Sequence, residues 1–146
     1  MRSRPVRDAI LALPSALPMP NHPVYSVAQA RALVPTVRGI LLQLAVERQA
    51  ADAAHAALHG HLEAGSGSPP SRRRLEAETS ERRERVRILL EHLEQLGIVV
   101  RDLSAGLVDF PTERDGEPAW LCWRLDDAQL AWWHTTREGF ASRRPL

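Results

Sequence analysis

The residues able to do chemistry crowd into the last third of the chain. Between Gly97 and Leu146 lie all four tryptophans, both phenylalanines, the single cysteine and five of the seven aspartates. Asp102, Asp109, Arg124, His134 and Arg143 form the candidate ligand-binding set. An aspartate with a histidine can serve as a general base or as metal ligands, and arginine can hold an anion through paired N–H groups. A bland alternative is that Asp109 and Arg124 form one ion pair that staples a sheet. The chain has no P-loop, no dinucleotide fingerprint, no nucleophile elbow and no zinc-type cysteine pair. Accordingly no catalytic residue, no metal ligand and no cofactor is assigned from the sequence.

These residues need strands to position them. Apolar, β-favouring runs at 98–101, 107–110, 119–125 and 130–134 alternate with turn signals, of which Asp115-Gly116 is the strongest. An antiparallel meander of three to four strands is expected. On the third run Leu121, Trp123 and Leu125 face the core, leaving Trp120, Cys122 and Arg124 on the other side. Alignment through the Asp115-Gly116 turn sets Asp109 near Cys122, with Arg124 a diagonal neighbour. The turn opened by Asp126-Asp127 leaves two registers: one puts Trp132 and His134 on the Arg124 face, the other on the core face. The ending EGFASRRPL, with Glu138, Phe140 and Arg143, is expected to wrap back over the sheet.

Upstream the period is helical. Ser26 and Gln29 have capping-box spacing, opening a short helix over 27–33, and Pro35 predicts a break or kink. Val37, Ile40, Leu41, Leu44, Ala51, Leu58 and Leu62 then follow helical spacing to GSGSPPS at 65–71, a breaker. A second helix is predicted over 72–96, stopped by Gly97. So short a connection predicts an antiparallel hairpin over 27–96. Its base is apolar, with Ile40, Leu41 and Leu44 facing Leu89, Leu90, Leu93 and Leu96. Between Ala77 and Val86 nothing apolar is offered, so the distal half either frays in solvent or packs on a second copy as a coiled coil. Seven arginines and six glutamates interleave over 72–94, which reads as a solvated face with favourable four-residue pairs. Asp52, His55 and His59 have chelating spacing, but the facing helix offers only Glu76 in support.

The first 23 residues carry five prolines and read as a disordered leader. Residues 24–146 read as one domain of helical hairpin and meander, of α+β class. Met19 is an alternative start to Met1. Net charge is +1 with 19 arginines and no lysine. That balance predicts neither a nucleic-acid nor a membrane-surface partner, and one cysteine fits a cytoplasmic setting.

RD at 101–102, GLVDFP at 106–111, LCWRL at 121–125, WH at 133–134, GF at 139–140 and the ending at 143–145 together resemble an uncharacterised bacterial family. It is catalogued as domain of unknown function 2203 and is sometimes labelled division-related. The resemblance covers about residues 25–146. It implies a helix start of YT type, a long charged hairpin and this run of motifs, and it brings no mechanism. The chain departs at Asp126, Asp127 and Thr135, where members usually carry Gly-Glu and Glu.

Two functions follow. One is a non-enzymatic binding or scaffold module acting through the hairpin, with itself as a homodimer or with another protein. The other is a small-ligand, anion or metal site on the sheet, open to enzymatic use. The first is the reading the sequence favours; clustering of the five candidate side chains in one reachable pocket favours the second, and their dispersal the first.

Overall fold

The structure, a computed structural model, describes residues 22–65 and 68–146. The leader expected over 1–23 lies outside the described residues apart from His22 and Pro23, as does the choice between Met1 and Met19. In chain order the elements are α1 (Val27–Ala64), α2 (Pro69–Gln95), β1 (Val99–Asp102), β2 (Leu107–Arg114), β3 (Glu117–Arg124), β4 (Trp132–Thr135), a short 3-10 turn (Phe140–Ser142) and β5 (Arg144–Pro145). The fold is α+β: two long helices packed together on an antiparallel sheet.

Helix α1 opens with the reciprocal bonds its sequence predicts. Ser26 Oγ accepts from Gln29 N at 3.1 Å, and Gln29 Oε1 accepts from Ser26 N at 2.9 Å. The break expected at Pro35 is absent, and α1 runs unbroken through it. A proline inside a helix costs about 3 kcal/mol through the missing N–H and the ring clash. Burial of Ala30 and Val37 on either side, with Leu33 and Val34 packed on the core, offsets that cost. Helix α2 also starts earlier than expected, because Ser68 caps it and Pro69 and Pro70 occupy its first turn, where a missing N–H costs nothing. It stops as predicted: Leu96 caps it and Gly97 takes φ +72° against His22 and Pro23.

The hairpin's base is its apolar part. Val37, Ile40, Leu41 and Leu44 join Leu93, Ile98, Val108, Phe110, Leu121, Trp123 and Leu130 in one core. Farther out only Ala51, Ala54 and Thr79 are buried on the helices, and a groove of about 700 Å³ opens beside His55, Leu58 and Thr79. Arg82 of α2 crosses to Glu47 of α1 at 2.9 Å.

The sheet has five strands in the order β1-β2-β3-β4-β5, one or two more than expected. The added strand is the tail: Arg144 and Pro145 pair with Trp133 and Trp132. Two residues are too few to show alternation, and a proline suits an edge because it has no N–H to give. Asp115 and Gly116 form the β2–β3 turn with φ +52° and +79°, the left-handed pair that a two-residue hairpin demands.

Tyr25 ties the layers together. Its hydroxyl donates to Leu96 O at 2.6 Å, its N–H donates to Pro111 O at 2.8 Å, and its carbonyl accepts from Thr112 Oγ1 at 2.7 Å. From α1, Arg31 donates to Leu130 O and Arg38 to Leu125 O, fixing the β3–β4 connection. Among the described residues, no helix is long and apolar enough to cross a membrane.

Candidate binding site on the outer face of the sheet

Pairing decides which side chains share a face. Asp109 stands opposite Cys122, as the turn alignment predicts, and Trp120 stands opposite His134. The open choice of register is thereby resolved: Trp132 and His134 lie on the Asp109 face, away from the helices. Leu121, Trp123 and Trp133 face the core instead.

Asp109 and His134 are both buried, with side chains 1% and 3% exposed. Asp109 Oδ2 accepts two bonds, from His134 Nε2 at 2.9 Å and from Arg101 Nε at 2.7 Å. Arg101 reaches it because of an irregularity in β1. Val100 pairs with Val108 and Asp102 with Leu107, so Arg101 is the extra residue of a bulge, a device that re-aims a side chain. Its guanidinium also lies 5.0 Å from the Trp120 ring.

His134 has acceptors on both ring nitrogens: the carboxylate at Nε2 and the Thr135 carbonyl at Nδ1, 2.8 Å away. A carbonyl only accepts, so Nδ1 carries a proton, and the Nε2 contact is strongest when that nitrogen carries one too. Burial pulls the pKa of His134 down, but the Asp109 hydrogen bond and charge, with the Thr135 carbonyl, outweigh it and the net shift is upward. Cys122 behaves oppositely. Burial, reinforced by the Asp109 carboxylate and only partly opposed by the Arg143 guanidinium, pushes its thiol up to about 12.

One atom of the cluster has no partner: Asp109 Oδ1 is buried and makes no hydrogen bond. Trp120 Nε1, on the same face, is likewise unpaired. A cleft of about 170 Å³ opens here, lined by Arg101, Asp109, Cys122, His134, Glu138 and Phe140, among others. Donor atoms of Asp109, Cys122 and His134 lie within 4.8 Å of one another. With both imidazole nitrogens engaged, the free functional atom of the aspartate–histidine pair is the carboxylate oxygen.

The five residues proposed from sequence divide. Asp109 and His134 meet as a bonded pair. Arg143 borders the cluster, near the Cys122 thiol, while bonding Asp127 Oδ2 at 3.0 Å and lying 4.7 Å from the Trp132 ring and 4.2 Å from that of Phe140. Arg124 is not the partner of Asp109. It pairs with Asp126, two residues on in the adjoining turn, and lies 5.0 Å from the Phe140 ring. Asp102 is exposed and accepts from Ala105 N at 3.0 Å, closing the β1–β2 turn. Arg101, Cys122 and Glu138 complete the site. The register already placed Cys122 beside Asp109. The bulge that delivers Arg101 has no sequence signal. Glu138 reaches the cleft through the Thr135 hydroxyl, which donates to its Oε2 at 3.0 Å.

A family model described as "Uncharacterized conserved protein (DUF2203)" matches residues 23–146. The chain belongs to this family. The match spans the hairpin, the whole sheet and every residue of the cleft, so the site lies within the family's own extent. No curated protein and no solved structure matches the chain.

Proposed function

We propose that this family member is a small-ligand-binding domain whose site is the cluster of Asp109, His134, Cys122 and Arg101. The observation that carries the reading is Asp109 Oδ1, an unpartnered oxygen of a buried carboxylate at a cleft. A buried polar atom left unpaired costs on the order of 1–3 kcal/mol, and more when charged. A staple for the sheet needs only Oδ2, which already holds both Arg101 and His134; a ligand supplies the partner that Oδ1 lacks. Binding is favoured over catalysis because neither nitrogen of His134 is free to take a substrate proton. Cys122 is a buried cysteine outside any disulfide, which fits a reducing, cytoplasmic compartment.

The test is a thermal-shift screen of chelator-treated protein against metals, nucleotides and small anions, run beside Asp109→Asn. A ligand at a hundred times its Kd adds about 2.7 kcal/mol, roughly 10 °C in a domain of this size. The reading requires such a shift in the wild-type chain and its loss in Asp109→Asn. It fails when no compound moves the melting temperature, or when the shift survives the substitution.

A second reading, a protein-contact role for the hairpin with a homodimer as its simplest form, draws support from the α1 surface. Leu42 and Val46, one turn apart on the same stripe, are 53% and 63% exposed. Light scattering across a concentration series tests it: a dimer abolished by Leu42→Glu with Val46→Glu supports self-association, and a monomer throughout removes it.

A further inference from the structure

We infer that the cleft is a transition-metal site, in which Cys122 Sγ, His134 Nε2 and Asp109 hold a divalent ion of the zinc class, with the fourth position open to the cleft. This rests on the ligand-site reading above and names its ligand.

Three kinds of donor meet at one point of the sheet, from three different strands, with their ligand atoms within 4.8 Å of one another. In a tetrahedral zinc site, bond lengths of 2.0–2.3 Å set donors about 3.3–3.8 Å apart, so rotamer adjustments suffice to close the set. Thiolate with imidazole selects zinc-like ions over magnesium or calcium, which demand oxygen ligands. Three protein ligands and one open position is the pattern of zinc sites that bind or activate a further molecule.

The surroundings are those of a metal site as well. A ligating histidine is oriented by giving its other N–H to an acceptor, and His134 Nδ1 already gives its proton to Thr135 O. Ligating carboxylates are held by hydrogen bonds of their own, and Arg101 holds Asp109 through Oδ2 while Oδ1 is unpartnered. Metal entry displaces the protons on Nε2 and Sγ.

The decisive probe is Co²⁺ added to the untagged, chelator-treated full chain. Cys122 is the only cysteine, so a thiolate-to-cobalt charge-transfer band in the wild-type protein assigns it without any variant. The expected result is that band, intense d–d absorption of a four-coordinate ion, and one equivalent of Zn²⁺ displacing the cobalt. Cys122→Ser removes the band. Arg101→Gln, which keeps all three ligands, weakens Zn²⁺ binding roughly 10–100-fold, as loss of an outer-shell partner does. Absence of stoichiometric metal, or a spectrum lacking the thiolate band, overturns the inference. Thermal shifts by small amines and amides in chelator separate the two levels: an Asp109-dependent shift by such a donor without metal binding sinks the metal site and leaves the ligand site standing. Silence to metal and donor together sinks both.

Discussion

Asp109 carries two jobs on two oxygens, and a double-mutant cycle with His134 measures the structural one. Oδ2 makes two charge-assisted bonds, to His134 Nε2 and Arg101 Nε. Breaking a buried pair by removing one partner costs about 3–5 kcal/mol. Asp109→Asn falls at the low end, about 3 kcal/mol, for two reasons. The Arg101 side chain is 21% exposed and so partly solvated, and the freed histidine can shed its Nε2 proton. In melting temperature this is a fall of roughly 10 °C. His134→Gln costs less, about 1–2 kcal/mol, because Arg101 still neutralises the carboxylate. The double variant loses less than the sum, with a coupling of about 1–3 kcal/mol. Urea unfolding in chelator, followed by the fluorescence of the four tryptophans, reads all three. Additivity within about 0.5 kcal/mol would refute the bonded pair.

Other consequences can be checked in the same preparations. Asp109 with Arg124→Gln should be additive within about 0.5 kcal/mol, since Arg124 bonds Asp126; a coupling above 1 kcal/mol would restore the ion pair expected from sequence. The folded pKa of Glu47 is lowered, first by its bond from Arg82 and then by the nearby charges of Arg82 and Arg85. Its contribution to stability is therefore present above the unfolded carboxylate value, about 4.3, and is lost as pH falls through the lower folded value. Amide exchange in the distal hairpin should rise over that acid window, and Glu47→Gln should flatten the dependence. His55 and His59 are exposed, the first beside Arg83 and the second paired with Glu63. Replacing both with Gln should leave bound metal unchanged, and its loss would move the site to the hairpin. Burial and a thiol pushed up to about 12 should make Cys122 slow to alkylate at neutral pH until urea unfolds the chain; rapid labelling of the folded protein would show the sheet face to be open.

What could be read from residues alone follows from how local its cause is. The capping box at Ser26, the stop at Gly97 and the Asp115-Gly116 turn each depend on a few adjacent residues, and each holds. The turn fixes the β2–β3 register, so the neighbourhood of Asp109 and Cys122 was legible too. Three features were not. The helix continues through Pro35 because tertiary burial of Ala30 and Val37 outweighs a local penalty. Arg101 meets Asp109 through a bulge, an insertion that no composition marks. Asp109 took Arg101 and His134 rather than Arg124, because Arg124 had Asp126 within its own turn and an aromatic ring, Phe140, to cover it. Spacing named the neighbourhood, and competition among nearby partners chose the bonds.

Amide NMR titration decides whether the outer-face cluster binds a ligand. Zn²⁺ and then small amines and amides are added to chelator-treated, isotopically labelled protein, with every resonance followed. Shifts are expected only at Arg101, Asp109, Cys122, His134 and their strand neighbours, saturating at one equivalent of metal and absent in Asp109→Asn. Shifts confined to the hairpin, or none on β2, β3 and β4, would contradict binding at the cluster.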